Sequence, residues 1–306
     1  MKPAEGDTIQ LSIDGSSIAV HYPDKIYWPE TEQNKAVTKL DLIHYYQCTS
    51  PFIQPYLEKR PVTFKYYPRG INSISFYRRD LHTQHPGYIK TFPYEEISQN
   101  KTIQLPLINN TAGLLWFMAK GAIEVHLWAS RVPDLLHPDM VIFDLDISDQ
   151  NQFSKILEVA DIIYQHLQEK GINCYAKTSG GSGLHIYLPI EPLYEYEKVR
   201  NWVKNLAIGL TKKYPDLIQI VSKNSKTHQK NKVTIDYMQN TLSRNTAAPY
   251  TVRATEDARV SMPLTWQEIQ LGKVRPVDFN IFNARDRLKA NGDIFEKVLQ
   301  QPQSLF

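Results

Sequence analysis

M-V-I-F-D-L-D, residues 140–146, is an apolar run that ends in two aspartates, Asp144 and Asp146. Four apolar residues in a row read as a buried strand. Side chains alternate along a strand, so aspartates spaced i and i+2 share one face at its end. Carboxylates at the rim of a core are costly unless they are paired or metal-bound. Two on one face repel each other unless a cation lies between them. Hard oxygen donors of this kind suit Mg²⁺ or Mn²⁺. Asp149 follows shortly, so the same residues would also serve a strand that runs into an Asp-rich turn.

The second informative stretch lies downstream of an amphipathic helix over 153–169, which Gly171 ends as a C-cap. A strand from Cys174 to Lys177 runs into T-S-G-G-S-G-L-H-I-Y-L-P, residues 178–189. Ser179, Gly180, Gly181, Ser182 and Gly183 predict a tight turn whose backbone N–H groups are sterically free to face an anion. His185 opens the returning strand. With Lys177 before the turn and His185 after it, the segment looks like a triphosphate cradle. It is not a Walker loop, because no G-K-[ST] follows and a strand comes next. A plain Gly-rich hairpin would use the same residues.

Composition bounds the class. The chain has 306 residues, 42% hydrophobic and 22% charged, which suits a soluble globular protein of two lobes. No apolar run approaches the ~20 residues that span a bilayer, and the N-terminus lacks the apolar core of a signal peptide. Cys48 and Cys174 make no metal or redox motif, so a reducing cytosol is the simple inference. The net charge of +3 is unevenly placed. Lys59, Arg60, Lys65, Arg69, Arg78 and Arg79 fall in a stretch without an acid, and 223–232 reads K-N-S-K-T-H-Q-K-N-K. Such patches suit phosphate backbones and are also common on solvated surfaces.

Taken in order, residues 9–21 alternate around Asp14-Gly15 and predict a hairpin. Thr38 reads as an N-cap, with Asp41 three residues on, of a helix running to about Leu57 that Pro51 and Pro55 break into pieces. R-P-V-T-F-K-Y-Y-P, residues 60–68, reads as a strand. A second covers 74–77 and ends in Phe76–Tyr77 followed by Arg78–Arg79, a pattern that can stack on bases and hold phosphates. A helix over 110–119 precedes the strand 123–128, on which Glu124 and His126 share a face. A helix over 195–214 leads to the basic segment 223–232, read as a mobile loop. The strand 232–236 then ends in a third candidate ligand, Asp236. Residues 250–254 carry Arg253 at a strand-like position, with helices near 265–271 and 293–300.

Three carboxylates at strand ends, a Gly/Ser turn with a histidine and a late arginine make one consistent site. Together they resemble the archaeo-eukaryotic primase superfamily, and most closely the polymerase domain of ligase D, the primase-polymerase of non-homologous end joining. The likeness rests on D-L-D at 144–146, S-G-G-S-G-L-H at 179–185 and I-D-Y-M-Q-N at 235–240. A-P-Y-T-V-R-A at 248–254, P-L-T-W at 263–266 and R-P-V-T-F-K-Y-Y-P at 60–68 complete it.

The resemblance implies an α+β fold with two mostly antiparallel sheets flanked by helices and an RRM-like catalytic half. It implies one domain over 1–306, with an N-terminal lobe over 1–120 that holds a 5′-phosphate-binding region and a catalytic lobe over 121–306. Asp144, Asp146 and Asp236 match the catalytic metal ligands for two Mn²⁺ or Mg²⁺ ions. His126, Ser179, His185 and Arg253 match nucleotide-binding positions, and Phe76–Tyr77 an aromatic pair that stacks there; Lys177, Gly180 and Gly183 join the nucleotide-binding set through the cradle reading of the turn. Lys25 and Lys39 match basic residues that grip a downstream 5′-phosphate. Three departures stand out: Tyr22 occupies a usual asparagine position, the segment between Lys25 and Lys39 is longer, and lysines replace arginines over 223–232. Lysine lacks the bidentate phosphate contact of arginine.

The implied reaction is nucleotidyl transfer to DNA 3′ ends at gaps and breaks, with ribonucleotides preferred. The implied partners are NTP or dNTP, DNA that is preferably 5′-phosphorylated, Ku and an ATP-dependent DNA ligase, with no membrane and a cytoplasmic, nucleoid-associated place. Two other readings compete. A haloacid-dehalogenase-type phosphatase also ends a strand in Asp-x-Asp, but it needs a late Asp-Asp pair that this chain lacks. A non-catalytic DNA-end-binding module would suit the basic patches, yet three clustered carboxylates would only repel DNA.

Overall fold

The computed structural model describes residues 7–96, 99–221, 229 and 231–305. The Asp14-Gly15 hairpin forms as its sequence predicts. β1 (Thr8–Ile13) and β2 (Ser16–His21) pair antiparallel, and the turn residues take φ of 49° and 74°. β3 (Ile26–Trp28) and β4 (Val37–Thr38) form a short ribbon that loops out the residues between them. α1 (Lys39–Leu57) opens on a capping box between Thr38 and Asp41. It runs unbroken through Pro51 and Pro55, contrary to expectation. Both prolines and Gln47 are exposed on one solvent face. The carbonyls that lose partners, those of Gln47 and Pro51, therefore turn toward water, while Tyr45, Tyr46, Ile53 and Tyr56 hold the opposite face in the core.

β5 (Val62–Tyr66) and β6 (Phe76–Arg78) are followed by a ribbon of β7 (Lys90–Glu96) and β8 (Lys101–Leu107), which the sequence reading lacks. Asn110 caps α2 (Thr111–Ala119), and β9 (Ala122–Trp128) follows. Next come β10 (Met140–Asp146), α3 (Phe153–Gln168), β11 (Tyr175–Thr178), β12 (Leu184–Pro189) and α4 (Tyr196–Lys213). β13 (Ile218–Ile220) and β14 (Val233–Asp236) flank residues 222–228 and 230, which lie outside the described residues together with most of the expected basic loop. β15 (Asn245–Ala247), β16 (Pro263–Leu264), α5 (Trp266–Gln270), α6 (Ala284–Asn291) and α7 (Lys297–Gln300) complete the chain. The strand expected over 250–254 reduces to a single bridge between Val252 and Val260. The helix expected from Asp293 starts only at Lys297. Asp293 instead accepts hydrogen bonds from the Tyr56 and Tyr250 hydroxyls.

Two sheets carry the architecture. One has the order β13-β14-β10-β12-β11-β16, and the other β15-β9-β5-β6. Every pair is antiparallel except β13 with β14. Within the first, β10-α3-β11-β12-α4-β14 follows the β-α-β-β-α-β path of ferredoxin- and RRM-like units. The order in space is fourth, first, third, second strand. Val141, Phe143 and Leu145 alternate with Ile142, Asp144 and Asp146. Phe143 meets Trp202 of α4, so the helices cover that face and the aspartates are left on the other. The four-stranded sheet joins β5 to β9 and β15, so it draws strands from both sides of residue 120. Arg60, 1% exposed, is held by Asp139 and the Trp128 carbonyl where β9 leads toward β10. No helix among the described residues is long and apolar enough to cross a membrane.

The segment 248–262 ties the sheets together. Ala248 N–H donates to Val125 O, and Val125 N–H to Thr251 Oγ1, on the β9 side. Tyr250 N–H donates to Ser261 O, and Thr178 N–H to Met262 O, on the β11 side. The two sheets therefore open toward a common cleft.

Candidate active site

Register sets the first wall of this cleft. Asp144 of β10 is directly opposite Asp236 of β14 on one side and His185 of β12 on the other, and His185 is opposite Lys177 of β11. Opposed residues of an antiparallel ladder share a face, with Cβ atoms about 4.5–5.5 Å apart. Asp236, Asp144, His185 and Lys177 thus form one row across four strands. Asp146 shares their face, one position further along and opposite Thr234. Asn240 secures β10 where β14 has ended. Its Oδ1 accepts from Ile142 N–H at 2.9 Å and its Nδ2 donates to Ile142 O at 2.7 Å.

The row is electrostatically tense. Burial pushes the Asp144 carboxyl up to about 6, against the pull of Lys177 and Arg253. Burial, then the charge of Asp144, raises Asp236 as well. His185 Nε2 lies 3.4 Å from Asp144 Oδ1. Lys177 is fully buried behind that histidine. Its Nζ is 2.8 Å from His185 Nδ1 and donates to Ser261 Oγ at 2.6 Å. Expected at the nucleotide, it instead backs the residue that faces the cleft. Burial and the nearby cations hold both Lys177 and His185 well below their ordinary values.

The Gly/Ser turn is built around its own serine. Ser179 Oγ accepts from the N–H groups of Gly181 and Gly183, each at 3.0 Å, and Ser179 N–H donates to Gly183 O. Only the Gly180 and Ser182 amides of the turn lack a hydrogen bond among the described residues. The turn therefore offers an anion fewer donors than its glycine content implies. A Cβ on Gly183 would run into Leu145 O and Asp146 Oδ1, so the missing side chain lets the turn close over the end of β10. Gly180 has φ of 72° and leaves room for Arg253 Cγ.

The second wall comes from β9. Arg253 spans the cleft, donating from Nε to Glu124 Oε2 at 2.9 Å and from Nη1 to Ser179 O at 2.7 Å. His126 Nε2 is 2.9 Å from the same Glu124 oxygen. Tyr77 meets His126 edge-on at 5.6 Å, and Phe76 stacks on Tyr66 at 5.3 Å. Both Phe76 and Tyr77 remain exposed. Sequence reasoning brought His126, Ser179 and Arg253 to one site, and the structure joins them. It missed Glu124, whose only signal is sharing a face with His126. It also missed Arg259, which donates to Gly181 O at 3.1 Å.

Lys25 and Lys39 meet at the β3–β4 ribbon, away from this row. Lys39 N–H donates to Lys25 O at 2.8 Å, so the extra residues between them bulge out without separating them. Among the described residues no amide at the start of α1 is left free. Thr38 and Asp41 N–H bond each other's side chains, Lys39 N–H bonds Lys25 O, and Leu40 N–H bonds Pro23 O. Only side chains are left to hold an anion. Lys39 Nζ donates to His21 O and Ala119 O, and Lys25 Nζ to Pro68 O. Burial, with the charges of Lys25 and Lys120, lowers Lys39 to about 8.

Among the described residues no three His, Cys, Asp or Glu side chains close into a metal cage. Asp144, Asp146 and Asp236 are an open set of hard oxygen donors, and the raised carboxyls beside one another are what a divalent cation would relieve.

Residues 38–295 match the family model described as LigD, primase-polymerase domain. The chain is 28% identical over 274 residues to the multifunctional non-homologous end joining protein LigD of Mycolicibacterium smegmatis, covering 89% of this chain and 35% of that protein. It is 29% identical over 281 residues to the bifunctional non-homologous end joining protein LigD of Bacillus subtilis, covering 92% and 44%. The chain thus spans less than half the length of these relatives. A solved structure, the polymerase domain from Mycobacterium tuberculosis ligase D in complex with DNA, superposes with a TM-score of 0.82 at 25% identity over 93% of this chain and 98% of that one.

The close approach at Gly183 predicts that Gly183→Ala pushes the turn off Asp146 while leaving the sheets folded. Displacements near 1 Å at a reacting centre can cost on the order of 100-fold in rate. Primer extension should fall by about that factor with an unchanged circular dichroism spectrum. Activity within about threefold of wild type would show that the contact is not part of the site.

Proposed function

The chain belongs to the LigD primase-polymerase family, and from that premise we propose that it adds nucleotides, ribonucleotides by preference, to DNA 3′ ends at gaps and double-strand breaks. It is a nucleotidyltransferase of the polymerase class. The observation that carries the reading is the convergence of the carboxylate row, the Gly/Ser turn and Arg253 on one cleft. Asp144, Asp146 and Asp236 would hold two Mn²⁺ or Mg²⁺ ions. Bound there, such ions lower the pKa of the primer 3′-hydroxyl and neutralise charge on the triphosphate.

The chain's own groups do the rest. Arg253 commits one N–H to Glu124 and one to Ser179 O, which leaves three guanidinium donors for phosphate oxygens. Those donors are held in place before substrate arrives, the arrangement that makes charge stabilisation effective. The Gly180 and Ser182 amides and His185 add further donors. Lys177 fixes the His185 ring from behind. Phe76 and Tyr77 offer exposed faces on which a base can stack. The DNA in the M. tuberculosis complex supports DNA as the polymer substrate. Ku and an ATP-dependent DNA ligase, in the cytoplasm at the nucleoid, are the partners and place that this role implies.

Incubation with a labelled primer-template, Mn²⁺ and either ATP or dATP tests the reading. We expect template-dependent extension, with kcat/KM at least several-fold higher for ATP. Phosphate release without extension would fit a phosphatase, and a gel shift without extension would fit a DNA-end binder.

Lys25 and Lys39 are proposed to bind the downstream 5′-phosphate. Wild type should bind gapped DNA bearing a 5′-phosphate more tightly than its 5′-hydroxyl counterpart at fixed salt. Combined Lys25→Ala and Lys39→Met changes should abolish that preference. A lysine lowered to about 8 carries its charge below that pH and loses it above. Bound phosphate raises the midpoint somewhat, so the preference should hold at pH 7 and shrink by pH 9.5. A preference that survives the double change, or none in wild type, would put the phosphate elsewhere.

A further inference from the structure

Glu124 is almost wholly buried, yet it is the most heavily bonded side chain of the cleft. Its carboxylate takes Arg253 Nε and His126 Nε2 at 2.9 Å each, Ala254 N–H at 3.2 Å and the Tyr67 hydroxyl at 3.3 Å. Burial alone would raise its carboxyl. The His126 hydrogen bond and the Arg253 charge outweigh that and hold it down at about 2. An ionised carboxylate is an acceptor only. The proton between the two side chains therefore belongs to His126 Nε2. Burial, with the nearby Arg253, keeps this imidazole below its ordinary value despite the carboxylate, so the ring is neutral. A neutral imidazole with its proton on Nε2 presents a lone pair at Nδ1. That nitrogen has no hydrogen bond among the described residues.

The consequence is chemical. A phosphate oxygen is an acceptor and gains nothing from an acceptor lone pair. The ligand group at His126 must be a donor. Position narrows it further. Tyr77, an exposed ring able to stack on a base, lies on one side of His126. Arg253, able to hold phosphate, shares the Glu124 carboxylate with it. Between base and phosphate a nucleotide has its sugar, and the donors of a sugar are hydroxyls.

We propose that Glu124 is a positioning residue that fixes His126 as a hydrogen-bond acceptor for the 2′-hydroxyl of the incoming nucleotide. The same carboxylate orients Arg253, so sugar and phosphate are registered by one buried group. This inference rests on the ribonucleotide preference proposed above and supplies a residue basis for it.

The test compares kcat/KM for ATP, 2′-dATP and 3′-dATP on one primer-template. A single neutral hydrogen bond corresponds to a factor of roughly 2–13. His126→Ala, His126→Gln and Glu124→Gln should each cut the ATP/2′-dATP ratio by about that factor, mainly through KM for ATP. His126→Asn, whose Oδ1 stands near the position of Nδ1, should keep most of it. The ATP/3′-dATP ratio should be unmoved. Nitrogen-15 spectra of histidine-labelled wild type should show the His126 proton on Nε2, and Glu124→Gln should shift that signal. A purely structural Glu124 would depress all three substrates alike and leave their ratios intact, overturning the proposal. So would a His126 proton on Nδ1, or a change confined to 3′-dATP. Wild type without ATP preference would instead overturn the ribonucleotide reading itself.

Discussion

Two carboxylates forced side by side on adjacent antiparallel strands are the constraint on which this structure turns. Register, not flexible side-chain placement, sets Asp144 against Asp236, so neither can move away without breaking the ladder. Water cannot fully screen them, because Asp144 is mostly buried. Unlike charge must be supplied, and the fold supplies part of it from the other direction. Arg253, arriving from a loop far along the chain, and Lys177, behind His185, pull on Asp144, while His185 itself is held well below its ordinary value. The remaining imbalance is one that a divalent cation would relieve.

Arg253 also explains how the two sheets act as one site. It ties Glu124 on β9 to the turn between β11 and β12. The turn in turn touches the end of β10 at Gly183. Any change in the spacing of the sheets would therefore be felt at Arg253, at His126 and at the carboxylates.

Much of this was legible in the sequence. The strand 140–146, the turn after Thr178 and the helix cap at Thr38 each carry local signals: a run of apolar residues, a cluster of small residues, a Thr-Asp box. The β7–β8 ribbon was not legible, because Lys90–Glu96 carries only Phe92 and Tyr94 as large apolar side chains, on either side of Pro93, too little to mark a strand. α6 buries only Ala284 and Leu288, too little to show a helical period. At the site, residue types were readable and their partners were not. Glu124 meets Arg253 across 129 positions, a contact that exists only after both sheets are assembled. The burial of Lys177 and the use of the first amides of α1 are likewise decided by packing. That is why one expected ligand contact moved behind His185, and why the lysine site came to depend on side chains alone.

The most direct test of the carboxylate row is single-nucleotide extension by Asp144→Ala and Asp236→Ala, with DNA affinity measured on the same preparations. Both variants should lose at least about a thousandfold in extension while binding primer-template within a few-fold of wild type, since these groups face the cleft rather than contribute attraction to DNA. Extension that persists near the wild-type rate in either folded variant would contradict the account.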